Sequence, residues 1–157
     1  MNKEIERKFI VENNLWNDKE GFDIVQGYLS DKKEAIVRVR IKKDRAYLTI
    51  KGATENITRN EFEYEIPYND AKELLKLCDK KIEKTRYLEK VGEHTFEIDV
   101  FRGDNAGLIV AEIELKSEDE EFIKPDWLGK EVSGDARFYN SNLVNYPYKL
   151  WKERDVV

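Results

Sequence analysis

Charged side chains recur at every second position in run after run of this sequence. Glu4, Glu6 and Lys8 alternate with Ile5 and Phe9; Arg38, Arg40 and Lys42 alternate with Val37, Val39 and Ile41; Glu61, Glu63 and Glu65 alternate with Phe62, Tyr64 and Ile66. Lys84 with Arg86, Glu97 with Asp99, Glu112 with Glu114 and Lys116 repeat the spacing, and Lys51 shares it with Thr49 and Tyr47. A period of two is the period of a strand, so each set occupies one strand face. Rows of Arg and Lys can grip phosphate oxygens, Arg in bidentate fashion. Carboxylates spaced i and i+2 can hold a hard cation with a preference for oxygen, such as Mg²⁺ or Mn²⁺. Two arrangements accommodate such faces. One is a sheet with its core on one side and scattered surface charges on the other. The other is a closed barrel with the charges turned into a wet lumen, where a polyanion and a divalent metal offset the cost of gathering both signs.

The elements that must carry these residues are strands. The spacing predicts them over 4–11, 22–30, 35–42, 46–51, 60–66, 82–90, 95–101 and 108–116, which is about the number that closes a small barrel. Arg7 is the one charge on the apolar face of the first strand. Pro67, with Asn69 or Asp70 as a cap, starts a helix through Leu74, Leu75 and Cys78. The last third reads as helical, with one helix opened by Ser133 or Asp135 and another by Pro147.

Bulk composition narrows the function classes. The chain has 157 residues, enough for one domain with a real core, and 39% of them are charged in both signs, for a net charge of -5. Three Trp, eight Tyr and seven Phe argue against disorder. A sequence pI near 5.2 argues against nucleic acid or an anionic membrane as partner. A single cysteine, Cys78, excludes an intramolecular disulfide and a cysteine-cluster metal site, and a single histidine, His94, removes histidine-rich zinc sites. With no secretory signal and no apolar run of about 20 residues, the expectation is a cytoplasmic protein.

Glu4-Ile5-Glu6-Arg7-Lys8, followed by Arg38-x-Arg40, Lys51-Gly52, Glu61-x-Glu63-x-Glu65, Lys84-x-Arg86, Glu112-x-Glu114 and the stretch at 129–140, resembles the CYTH superfamily. These triphosphate tunnel metalloenzymes include inorganic triphosphatases, thiamine-triphosphatases and class IV adenylate cyclases. The resemblance spans nearly the whole chain. It implies an α+β fold, an eight-stranded closed antiparallel β-barrel or tunnel with helices packed outside and at one mouth, as one domain over 1–157. Carried over by motif, Glu4, Glu6, Glu112 and Glu114 would hold Mg²⁺ or Mn²⁺, and Lys8, Arg38, Arg40, Lys51, Lys84 and Arg86 would grip phosphates. Glu61, Glu63 and Glu65 would orient the basic residues or help with a second metal, and Asp99 is a further acidic lumen position. Arg137 either closes one mouth and reaches a terminal phosphate or is a surface residue near Tyr139; Arg59 is equally open.

The activity implied is metal-dependent hydrolysis of tripolyphosphate to phosphate and pyrophosphate by in-line attack of water. Lys84, crowded by Arg38, Arg40 and Arg86, with Tyr28 beside it, or a carboxylate such as Glu63, would take the proton. The alternatives are a nucleoside- or thiamine-triphosphatase, a class IV adenylate cyclase, or a non-catalytic polyphosphate-binding module. A homodimer is expected from the exposed backs of such barrels, with no nucleic-acid or membrane partner.

Overall fold

In the computed structural model, which describes residues 3–151, the alternating runs are the strands β1 (Lys3–Ile10), β2 (Phe22–Lys32), β3 (Ala35–Lys42), β4 (Arg45–Gly52), β5 (Thr58–Ile66), β6 (Lys81–Val91), β7 (His94–Phe101) and β8 (Ile109–Glu114). They form a closed barrel in the order β1-β5-β4-β3-β2-β6-β7-β8, each pair antiparallel. Closure rests on β1, which pairs with β8 from Glu6 to Ile10 and with β5 only from Lys3 to Ile5. Full closure removes free strand edges, and it also forces the two faces of every strand to be inside and outside.

The apolar faces point outward and most are covered, although Phe62 and Tyr64 of β5 are exposed. Phe9, Phe96, Ile98, Ala111 and Ile113 pack under Trp16 and Trp127, whose rings meet edge to face at 5.0 Å. Ile82, Phe101 and Val110 pack under Phe138, Leu143 and Trp151. Removing a ring such as Phe96 or Trp16 from these layers costs about 3–5 kcal/mol. The helix α1 (Tyr68–Lys76) carries the chain from β5 to β6 and seats Ala71 and Leu75 against Val39 and Ala46. It lies so close to β2 that a Cβ on Gly27 would be 2.8 Å from Cys78, so the strand needs glycine there. Cys78 is buried, as expected of a small apolar residue at this helix.

The last third is less helical than its sequence predicts. It holds 3₁₀ turns at Ala136–Phe138 and Tyr148–Leu150 and the four-residue α2 (Asn140–Leu143). Phe138 N–H donates to Asp135 O and Trp151 N–H to Tyr148 O, the three-residue spacing of 3₁₀ turns. From Lys8 to Ile10, the edge of β1 that β5 has left is taken by an extended strap: Ile10 N–H donates to Lys130 O, Val132 N–H to Lys8 O and Gly129 N–H to Ile10 O. Gly129 comes so near that an added Cβ would be 2.5 Å from that oxygen. The chain beyond the strap then brings Tyr139 to the cavity lining.

Candidate active site

The inward faces enclose a cavity of about 450 Å³ lined by seven basic and seven acidic side chains. The signs are partly segregated by strand. Arg38 and Arg40 come from β3 and Arg86 from β6, whereas Glu4 and Glu6 on β1 and Glu112 and Glu114 on β8 make the opposing acidic wall. Lys8, Lys51 and Arg59 are threaded among the acids.

On the acidic wall most carboxylates already have cations. Glu4 meets Lys51 Nζ and Arg59 Nε, both at 3.2 Å, and Glu61 meets Lys51 at 3.1 Å. Burial raises the Glu4 pKa, and Lys51 and Arg59 more than offset it, so Glu4 sits below the usual carboxylate range. Glu112 lies 3.6 Å from Lys8, whose ammonium also donates to Phe138 O at 3.0 Å. Glu6 differs: burial first, then the charges of Glu112 and Glu4, hold its carboxyl well above the usual range. Glu6 hydrogen-bonds to Glu112, which is itself held low by Lys8 and Lys84 against its burial. Like charges this close cannot both ionise freely, so the pair keeps a proton.

On the basic side two arginines are held in two ways. Arg86 makes a bidentate pair with Asp99 at 2.7 and 2.9 Å and reaches Glu97 at 3.3 Å. Asp99 also lies 2.7 Å from Lys84 Nζ. Burial works against the Asp99 carboxylate, but Arg86 and Lys84 bring its pKa down to about 2. Burial is also the main influence on Lys84; opposed by Asp99 and helped by Arg86 and Arg40, it brings the amine down to about 7. Arg40, by contrast, has only a neutral partner, with Nε donating to Gln26 Oε1 at 3.0 Å. Burial, then Arg38 and Arg86, push its guanidinium down to about 9, so it stays charged at neutral pH. Arg38 donates to Thr49 at 3.2 Å and lies 3.5 Å from Glu63, and its Nε is a buried donor with no partner among the described residues.

Of the residues singled out in the sequence, Glu4, Glu6, Lys8, Tyr28, Arg38 and Arg40 line the cavity, as do Lys51, Glu61, Glu63, Arg86, Glu112 and Glu114. Arg59 joins them. Lys84 and Asp99 are buried within the wall and are not among the lining residues. Glu65 is exposed beside Arg45 at 3.3 Å. Arg137 is held by Asp135 at 2.5 Å with its guanidinium over the Phe138 and Trp151 rings, and it too does not line the cavity. Sequence reasoning gave no role to Gln26, although it shares a strand face with Tyr28 and the alternation could have found it. Tyr139, Asn140 and Ser141 also line the cavity. No periodic signal marks them, because they arrive by the path of the strap.

Comparison with known proteins agrees with this architecture. The CYTH domain model matches residues 2–139. An inorganic triphosphatase of Acetivibrio thermocellus is 50% identical over 156 residues, covering 98% of this chain and all of the relative. An inorganic triphosphatase of Nitrosomonas europaea is 34% identical over 146 residues, covering 90% of this chain and 96% of that protein. Among solved structures, the crystal structure of an inorganic triphosphatase superposes with a TM-score of 0.65 at 33% identity, covering 90% of this chain and 93% of that one. The inward-facing charged strands, the closed barrel and these relatives together place the chain in one family: it belongs to the CYTH domain proteins.

Proposed function

We propose that the chain is a metal-dependent inorganic triphosphatase that hydrolyses tripolyphosphate to phosphate and pyrophosphate inside the barrel. One observation carries this reading beyond the relatives' shared activity. Arg40 is a nearly buried cation in the cavity wall with no carboxylate partner among the described residues, and Arg38 beside it keeps an unpartnered buried donor. A buried charge left this way is costly unless an anion meets it, and a linear triphosphate presents oxygens along its whole length.

The acidic wall suits a divalent cation by its donor chemistry. All of its ligand atoms are carboxylate oxygens, and Glu6 is pressed against Glu112 and Glu4, a repulsion that a hard cation relieves. Among the described residues no three carboxylates already converge as a metal shell. Lys51, Arg59 and Lys8 hold Glu4 and Glu112 instead. In our reading Glu4, Glu6, Glu112 and Glu114 would hold Mg²⁺ or Mn²⁺. Such an ion neutralises phosphate charge and makes bound water a stronger nucleophile.

The chain's own part is positioning and charge. Arg38, Arg40, Arg86, Lys8 and Lys51 would grip the phosphate oxygens and stabilise charge that grows on the leaving pyrophosphate. No covalent nucleophile is needed. For the proton of the attacking water we propose Lys84, whose amine burial brings down to about 7 and which, lying within the wall, would act through a water between it and the cavity, with Glu63, which lines the cavity, as the other candidate. On that assignment the rate rises with pH through about 7, and Lys84→Ala flattens the profile. An unchanged profile moves the role to Glu63.

The test of the function is phosphate release from tripolyphosphate and from ATP in parallel, with Mg²⁺, Mn²⁺ or chelator. Metal-dependent release that is at least tenfold faster from tripolyphosphate is the expected result. Equal or faster ATP cleavage, or binding without turnover, overturns it.

A further inference from the structure

Gln26 is fully buried on β2, and both ends of its amide are in use. Oε1 accepts from Arg40 Nε at 3.0 Å, and Nε2 donates to the Tyr28 hydroxyl at 2.8 Å. Chemistry fixes this orientation. A guanidinium N–H can only donate, so the amide atom facing Arg40 must be the carbonyl oxygen, which turns the NH₂ toward Tyr28. A phenol oxygen that accepts from NH₂ still has its own proton to place, and among the described residues no protein acceptor takes it. Tyr28 and Arg40 both line the cavity. Burial also holds the phenol above its ordinary pKa, despite Arg38 and Arg40, so the proton is present at neutral pH.

We propose that Gln26 is a positioning residue of the triphosphate site: its neutral amide holds Arg40 without neutralising it and fixes the Tyr28 hydroxyl as a hydrogen-bond donor to a phosphate oxygen in the cavity. The proposal rests on the triphosphatase reading. It explains why one arginine of the wall is held by an amide while Arg86 is held by a carboxylate. A carboxylate of the same shape at position 26 would reverse both effects. It would pair the charge of Arg40, and it would accept the Tyr28 proton and draw it out of the cavity.

Gln26→Glu is therefore the decisive variant, assayed for kcat and KM on tripolyphosphate with Mg²⁺ and, by calorimetry in chelator, for the Kd of tripolyphosphate alone. The expected result is a rise of tenfold or more in both KM and Kd, a lower kcat, and a melting temperature at or above that of the parent. In a Tyr28→Phe background the same substitution should lower kcat no further while still raising KM. A KM and Kd within twofold of the parent overturn the proposal, and so does an equal further loss of kcat in the Tyr28→Phe background. Should Gln26→Glu fail to fold, Tyr28→Phe alone decides: a kcat at least tenfold lower supports the donor role, and a parental kcat overturns it. A parent protein that binds tripolyphosphate without turnover would sink the triphosphatase reading only. The Kd comparison would still test Gln26.

Discussion

Arg86 and Arg40 stand on neighbouring walls of one lumen, equally buried and of the same residue type, yet they have opposite electrostatic situations. Arg86 is balanced by Asp99, which it shares with Lys84, and by Glu97 nearer the cavity. Arg40 has the amide of Gln26 and two like-charged neighbours. The first arrangement is a structural ion network, in which each charge needs the other to be tolerable inside the barrel. The second leaves a charge that the fold does not satisfy. In our reading Arg86 therefore serves stability as well as binding, whereas Arg40 is left for the ligand alone. A census of basic residues alone would miss the division.

Mutations can break this contrast. The largest effect should come from Asp99→Asn, which leaves Lys84 and Arg86 buried without their carboxylate. A loss of about 3–5 kcal/mol is expected, a melting temperature lower by roughly 10 °C. A variant melting within 2 °C of the parent would show that the network is not structural.

Arg40→Ala should do the reverse. It should raise KM for tripolyphosphate by roughly 10- to 100-fold, as expected for losing a charged hydrogen bond, while the melting temperature stays level or rises. Arg86→Ala should lower stability and affinity together. If the two arginine variants behave alike, the division between the walls is wrong.

Acid titration sharpens the same point. Asp99 has a folded-state pKa of about 2, below its ordinary value of 3.8, so its contribution is complete above pH 4 and is lost as the pH falls through 2. That loss should be on the order of 2 kcal/mol, and Asp99→Asn should lack it in denaturant melts run at pH 5 and pH 2. The smallest effect belongs to Glu65→Gln. This carboxylate shares the alternation of Glu61 and Glu63 but is exposed beside Arg45, and its loss should change stability by less than about 0.5 kcal/mol. A larger change in stability, or any change in KM, would extend the site to the rim.

The alternation made much of the lumen legible beforehand. Glu4, Glu6, Arg38, Arg40, Glu112 and Glu114 were found because a strand reports its two faces directly in sequence. Lys84 and Asp99 were found by the same rule but lie inside the wall, because a period of two gives a face and not a depth. Arg137 was placed by motif near one mouth, and its neighbours Asp135, Phe138 and Trp151 hold it outside the cavity lining. The last third was read as helical from its apolar spacing, which marks a buried face but does not tell an α-helix from the short 3₁₀ turns at Ala136–Phe138 and Tyr148–Leu150.

The sequence by itself determined the strands, the sign of charge each brings to the lumen and the kind of ligand those charges suit. These are local properties, set by residue type and by the two-residue repeat of an extended chain. Only the tertiary structure decided which charge meets which. The register that sets Lys8 opposite Glu112, the carboxylate given to Arg86 and the amide given to Arg40 depend on strand order and barrel closure, which bring together residues far apart in the chain.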